Sequence, residues 1–192
     1  MKKIMVAALL VVSTTGFAQK FQIGAKAGVN LSNYSGTNFK TNTMIGFHVG
    51  GLINFKFGEV FSVQPEAIFS TQGAQYENAG SKSNLEVSYL NVPVMAKLDF
   101  GSVYVEAGPQ VGFKTSESAS IPNQSINGFA KGLDLSVAAG LGYHTKSGLG
   151  IGARYIAGVS KVGDFDKTTT VDPDFKNSVV QVSIFLTLFN NK

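Results

Sequence analysis

FQIGAKAGVNL, residues 21–31, alternates without a break: Phe21, Ile23, Ala25, Ala27, Val29 and Leu31 share one face, and Gln22, Gly24, Lys26, Gly28 and Asn30 share the other. A period of two marks a β-strand with one apolar side. A soluble sandwich, a lipocalin-like barrel and a membrane barrel can all use such a strand. Which face meets water therefore decides the fold.

Seven further segments alternate in the same way, at 44–55, 60–71, 85–99, 102–114, 133–144, 149–160 and 178–189. Their connections alternate long (32–43, 71–84, 115–132 and 160–177) with short (56–59, the turn around Phe100 and Gly101, and 145–148). One end of the molecule should then carry every long loop. With an even number of strands, both termini lie at the other end, which is the plan of a bacterial outer-membrane barrel. These strands also reach the roughly 9–11 residues that a tilted strand needs to cross the hydrocarbon.

The face opposite the apolar one is rich in glycine: Gly46 and Gly50, Gly108 and Gly112, Gly140 and Gly142, Gly150, Gly152 and Gly158. A surface facing water would carry Lys, Glu and Thr there, which favour both strand formation and solubility. Glycine fits instead inside a narrow barrel, because eight strands leave room for little more than side chains. The apolar face then meets lipid, and closure satisfies every backbone group within the hydrocarbon. Phe21, Phe55, Phe61, Phe69, Phe113, Tyr143 and Tyr155 fall toward strand ends, as interfacial girdles do. The expected fold is all-β: a closed, eight-stranded, antiparallel up-and-down transmembrane barrel.

The N-terminus MKKIMVAALLVVSTTGFAQ has two lysines, an apolar run too short to span a bilayer and small residues ending at Ala18. This is the layout of a secretory signal peptide. Two parts are expected, residues 1–18 as the signal and residues 19–192 as one barrel domain in the outer membrane. Losing Lys2 and Lys3 leaves 14 of the 16 basic residues against 12 acidic ones, so net charge falls from +4 to +2. No nucleic-acid partner follows from that. The chain has no cysteine, hence no disulfide framework and no lipid-modified cysteine.

Four blocks carry a family resemblance: SVQPEAIFSTQGA (62–74), YLNVPVMAKLDF (89–100), VYVEAGPQVGF (103–113) and GLDLSVAAGLGYHTKSGLGIGARYIAGVSKV (132–162). In this order they resemble the PorT-like outer membrane protein beta-barrel domain family of Gram-negative bacteria. The resemblance spans essentially the whole mature chain and implies a small OmpA- or OmpX-like barrel. Its founding member is linked to protein secretion. One departure is the C-terminus: such barrels usually end on an aromatic residue, whereas Phe189 is followed by Asn190, Asn191 and Lys192. Val180, Val182, Ile184, Leu186 and Leu188 form the better lipid face, which would turn Phe189 inward.

The same parity points Lys26, His48, Glu66, Lys97, Tyr104, Glu106, Asp134 and Arg154 inward. Charges removed from water must pair or be heavily hydrogen-bonded. The expected lumen network pairs Arg154 with Glu66 or Glu106 and gives Lys26 the other carboxylate. It either plugs and stiffens the barrel or, re-paired, opens a narrow ion path. Three in-strand prolines, Pro65, Pro93 and Pro109, each delete a ladder donor and are expected at bulges, with Leu85, Val87 and Tyr89 facing lipid before Pro93 and Val94, Ala96, Leu98 and Phe100 after it. Of the two histidines, His144 falls at the short-turn end. His48 has no serine and acid predicted beside it in the order catalysis needs, so neither enzymatic activity nor a cofactor is expected.

In the last long loop Asp164, Asp166, Asp172 and Asp174 are oxygen ligands for calcium only weakly, since they do not match the EF-hand spacing. Tyr34, Phe39, Tyr76, Phe129, Phe165 and Phe175 are candidate anchors for a protein partner. The expected surroundings are outer-membrane lipid and lipopolysaccharide, and the expected state is a monomer. The expected role is structural or surface-interacting, with a narrow porin or a secretion accessory as alternatives.

Overall fold

The computed structural model describes residues 20–35, 41–78, 81–121, 124–125, 132–160 and 176–190. Nine strands run through them: β1 (Lys20–Ser35), β2 (Thr41–Lys56), β3 (Phe61–Asn78), β4 (Ser81–Phe100), β5 (Val103–Ile121), β6 (Gln124–Ser125), β7 (Leu133–His144), β8 (Leu149–Gly158) and β9 (Lys176–Asn190). The hydrogen-bonded order is β4-β3-β2-β1-β9-β8-β7-β5, and a further β4–β5 pairing closes it into an eight-stranded barrel. All eight pairings are antiparallel. The two-residue β6 only pairs antiparallel with the end of β5.

The alternation of the opening stretch is the alternation of exposure. Phe21, Ile23, Val29 and Leu31 lie on the outer wall, whereas Lys26 and Asn30 are buried in the lumen. Val49, Val105, Val137, Leu141, Ile151 and Ile184 continue the outer surface around the ring. An exposed apolar surface running right round a closed barrel is stable only against lipid. From Phe21 to Leu31, about 3.3 Å per residue along a strand tilted about 40° gives a belt about 25 Å tall, the height of an outer-membrane barrel's apolar band. Phe21, Phe57, Phe61, Phe100 and Tyr143 border it on the short-turn side, and Phe47, Phe69, Phe113 and Tyr155 on the other.

Each short turn holds a glycine at positive φ: Gly58 (102°), Gly101 (76°) and Gly148 (90°). Side-chain-bearing residues rarely adopt that conformation, so these glycines let the strands reverse tightly.

Several sequence expectations change here. The segment 71–84 is not a long loop, because β3 and β4 stay paired from Thr71 opposite Ser88 to Asn78 opposite Ser81. Residues 115–121 likewise continue β5. These stretches lack apolar alternation, since beyond the membrane both faces of a hairpin can meet water and the pattern loses its cause.

The prolines do not mark bulges. The register sum is unchanged across Pro65 and Pro93 in β3–β4 and across Pro109 in β4–β5, where only a few ladder pairs are missing. Accordingly Val87 and Tyr89 point inward with Met95 and Lys97, and no parity switch occurs at Pro93. Register shifts lie instead at Ile23/Gly24, Thr43/His48 and Ser88/Tyr89. The first of these sets Phe189 opposite Ile23, with Leu188 as the extra residue.

Candidate functional site

The lumen is stratified. Lys26 on β1, Glu66 on β3, Glu106 on β5 and Arg154 on β8 come from every second strand around the ring, so the pleat brings their side chains to one layer. All four are at least 94% buried. Arg154 is the hub. Its Nη1 and Nη2 donate to Glu66 Oε2 and Oε1 at 3.0 and 2.9 Å, and its Nε donates to Glu106 Oε1 at 2.9 Å. Lys26 Nζ donates to the same Glu66 Oε1 at 2.8 Å. Arg154 therefore takes both carboxylates, and Lys26 shares Glu66 rather than receiving a partner of its own. The planar guanidinium presents several donors in a fixed fork, which is why one arginine can bridge two acids.

Glycine makes room for this layer. Gly140 lies directly between Glu106 and Arg154 in the register, and a Cβ there would press on the Arg154 backbone and Cβ. The two side chains meet over the gap.

Apolar layers close over the charges on both sides. Toward the loop end Met95, Ala138, Ile156 and Val179 pack together. Toward the short turns Leu52, Tyr104 and Phe185 do the same. Tyr104 lies against Gly142 and Gly152, and Phe185 against Gly150, where added Cβ atoms would overlap the rings. Tyr104 and Phe185 meet edge to face at 5.9 Å.

Of the remaining inward residues, Lys97 reaches the charge layer through Gln64, which donates to Glu66 Oε1 at 2.7 Å. His48 Nδ1 donates to Asn30 Oδ1 at 2.8 Å, and its Nε2 pairs with Ser183 Oγ at 2.9 Å. Gln181 donates to the same Asn30 oxygen, and Asn30 donates to Ser70. A serine does adjoin His48, which the sequence reading did not foresee, because their contact spans 135 positions and depends on β9 reaching β1. The group is buried from solvent. Asp134 accepts from Ser136 at 2.6 Å and from Ser160 at 3.3 Å nearer the loop end. At the short-turn end His144 Nε2 is 3.3 Å from Asp99 Oδ1.

Lys97 donates to Gln64 Oε1 at 3.1 Å and lies 3.8 Å over the Tyr104 ring. Among the described residues, no three acidic, His or Cys side chains come together as metal ligands would. The calcium candidates Asp164, Asp166, Asp172 and Asp174 lie outside the described residues, as do the anchors Phe39, Phe129, Phe165 and Phe175. Tyr34 and Tyr76 fall on β1 and β3.

Solved structures share this architecture. Ail, the attachment invasion locus protein of Yersinia pestis, in complex with the heparin analogue sucrose octasulfate, is 15% identical, with a TM-score of 0.51 over 90% of this chain and 100% of Ail. Neisserial surface protein A is 14% identical, with a TM-score of 0.54 over 88% of this chain and 97% of that one. No curated protein matches the sequence. Residues 17–163 match the family described as outer membrane protein beta-barrel domain. With its lipid-facing belt and closed ring, the chain belongs to that family and is an integral barrel of the bacterial outer membrane.

Proposed function

We propose that the protein is a plugged outer-membrane barrel with a structural or surface-interacting role in the envelope, exercised through its loop-end hairpins. The layer of Lys26, Glu66, Glu106 and Arg154, joined across alternate strands and roofed by apolar side chains on both sides, carries this reading. A lumen filled in this way favours rigidity over passage, and neither a catalytic activity nor a cofactor belongs to the proposal. Its surroundings are outer-membrane lipid and lipopolysaccharide, it acts as a monomer, and residues 1–18 are its cleaved signal.

Planar-bilayer recording of the purified protein tests the plug. Quiet traces in the wild type and in Glu66→Ala are expected. Stepwise openings in the wild type would replace the plug with the narrow-porin reading, whose support is the charged ring itself. An accessory role in protein secretion rests on the PorT-like resemblance alone, and recovery of secretion components with the purified barrel would favour it.

A further inference from the structure

Below the Tyr104–Phe185 layer the lumen opens at its short-turn, periplasmic end into a cavity of about 250 Å³. That is room for about eight waters at ~30 Å³ each. Lys97, Lys56, Lys146, His144, Asp99 and Phe185 are among its lining residues. We propose that this vestibule binds a small oxyanion, a phosphate or a carboxylate, with Lys97 at its inner wall and Lys56 and Lys146 completing the site.

The charge balance of the lumen points there. In the layer above, two cations face two carboxylates, and each group makes at least one ion pair. Lys97 is a third buried cation, 4% exposed, and no carboxylate among the described residues lies within ion-pair distance of it. Glu106 is its cross-strand neighbour, but that carboxylate gives Oε1 to Arg154, and no oxygen of it, the unpartnered Oε2 included, lies within ion-pair distance of Lys97. Asp134 is six residues along β7 from Gly140, which is opposite Glu106, about 20 Å at the rise of a strand. Asp99, the acid among the described lining residues, already faces His144.

A buried ammonium held by one amide oxygen and two aromatic rings, with no carboxylate against it, is under-compensated. An oxyanion entering from the periplasm would supply the missing charge and accept from Lys97 as well as from the two more exposed lysines. The proposal does not depend on whether the barrel conducts.

The test uses the full mature chain refolded in a non-ionic detergent, so that no headgroup phosphate competes. Inorganic phosphate is titrated at constant ionic strength with chloride as the balancing ion, and amide shifts are followed by NMR. Saturable shifts confined to Thr145–Gly148, Phe185 and the strands flanking Lys97 are expected. Lys97→Met, which keeps the apolar stem, should weaken binding at least about tenfold, the loss of one charge-assisted hydrogen bond.

The double variant Lys56→Gln/Lys146→Gln leaves the buried lumen intact and should weaken binding several-fold, which covers the case in which Lys97→Met fails to fold. A short-chain phosphatidic acid below its micellar concentration, competed by phosphate, distinguishes a lipid headgroup from a free anion as the source. Linear, unsaturable shifts in the wild type would overturn the site. So would wild-type affinity in both folded variants.

Discussion

At the scale of single residues, inward glycines and charged side chains are complementary parts of one packing scheme. Gly140 lets Glu106 and Arg154 meet, while Gly142 and Gly152 receive the Tyr104 ring. Gly142→Val should therefore destabilise the barrel by about 1–3 kcal/mol through overpacking. Tyr104→Leu in the same chain should recover part of the loss, read as the urea midpoint of the folded band on unheated gels. Glu66 is more consequential, because it holds both Arg154 and Lys26. Its replacement by alanine leaves two buried cations short of a partner, and a loss of about 3–5 kcal/mol is expected in the same measurement. A loss below about 1 kcal/mol would mean that water reaches the layer and compensates it.

At the scale of elements, each strand has two physical regimes. The lipid-crossing part of β3 and β4 is fixed by apolar alternation, whereas the part from Thr71 to Ser88 is held by ladder pairing without that contrast. Shortening the hairpin by deleting residues 74–85 should leave membrane insertion intact, because no part of the lipid-facing belt is removed. The check is retention of the heat-sensitive fast-migrating band after refolding into vesicles. Loss of that band would place the hairpin within the folding unit. Pro65, Pro93 and Pro109 show the same economy, since the register runs through them with only local gaps in the ladder.

At the scale of the whole molecule, polarity is inverted relative to a soluble protein. Val137 lies at the middle of the outward run from Leu133 to Tyr143 and is 52% exposed to the lipid side. Val137→Arg should cost about 2–4 kcal/mol, measured as folding free energy in vesicles, because the arginine must enter the bilayer near its midplane. The sequence by itself determined the eight barrel strands, the closed antiparallel plan, which charged residues turn inward and, outside the stretch before Pro93, the lipid-facing side, because alternation across a membrane is a local signal repeated in every strand.

Tertiary structure alone decided which of those residues touch. Arg154 reaches Glu66 across 88 positions, His48 meets Ser183 across 135, and Lys97 has no acid within ion-pair distance among the described residues. Such contacts depend on the stagger of eight strands around a closed ring, and a single register step changes the height at which a side chain enters the lumen. Parity gives a side chain's direction; the shear of the assembled barrel gives its neighbours.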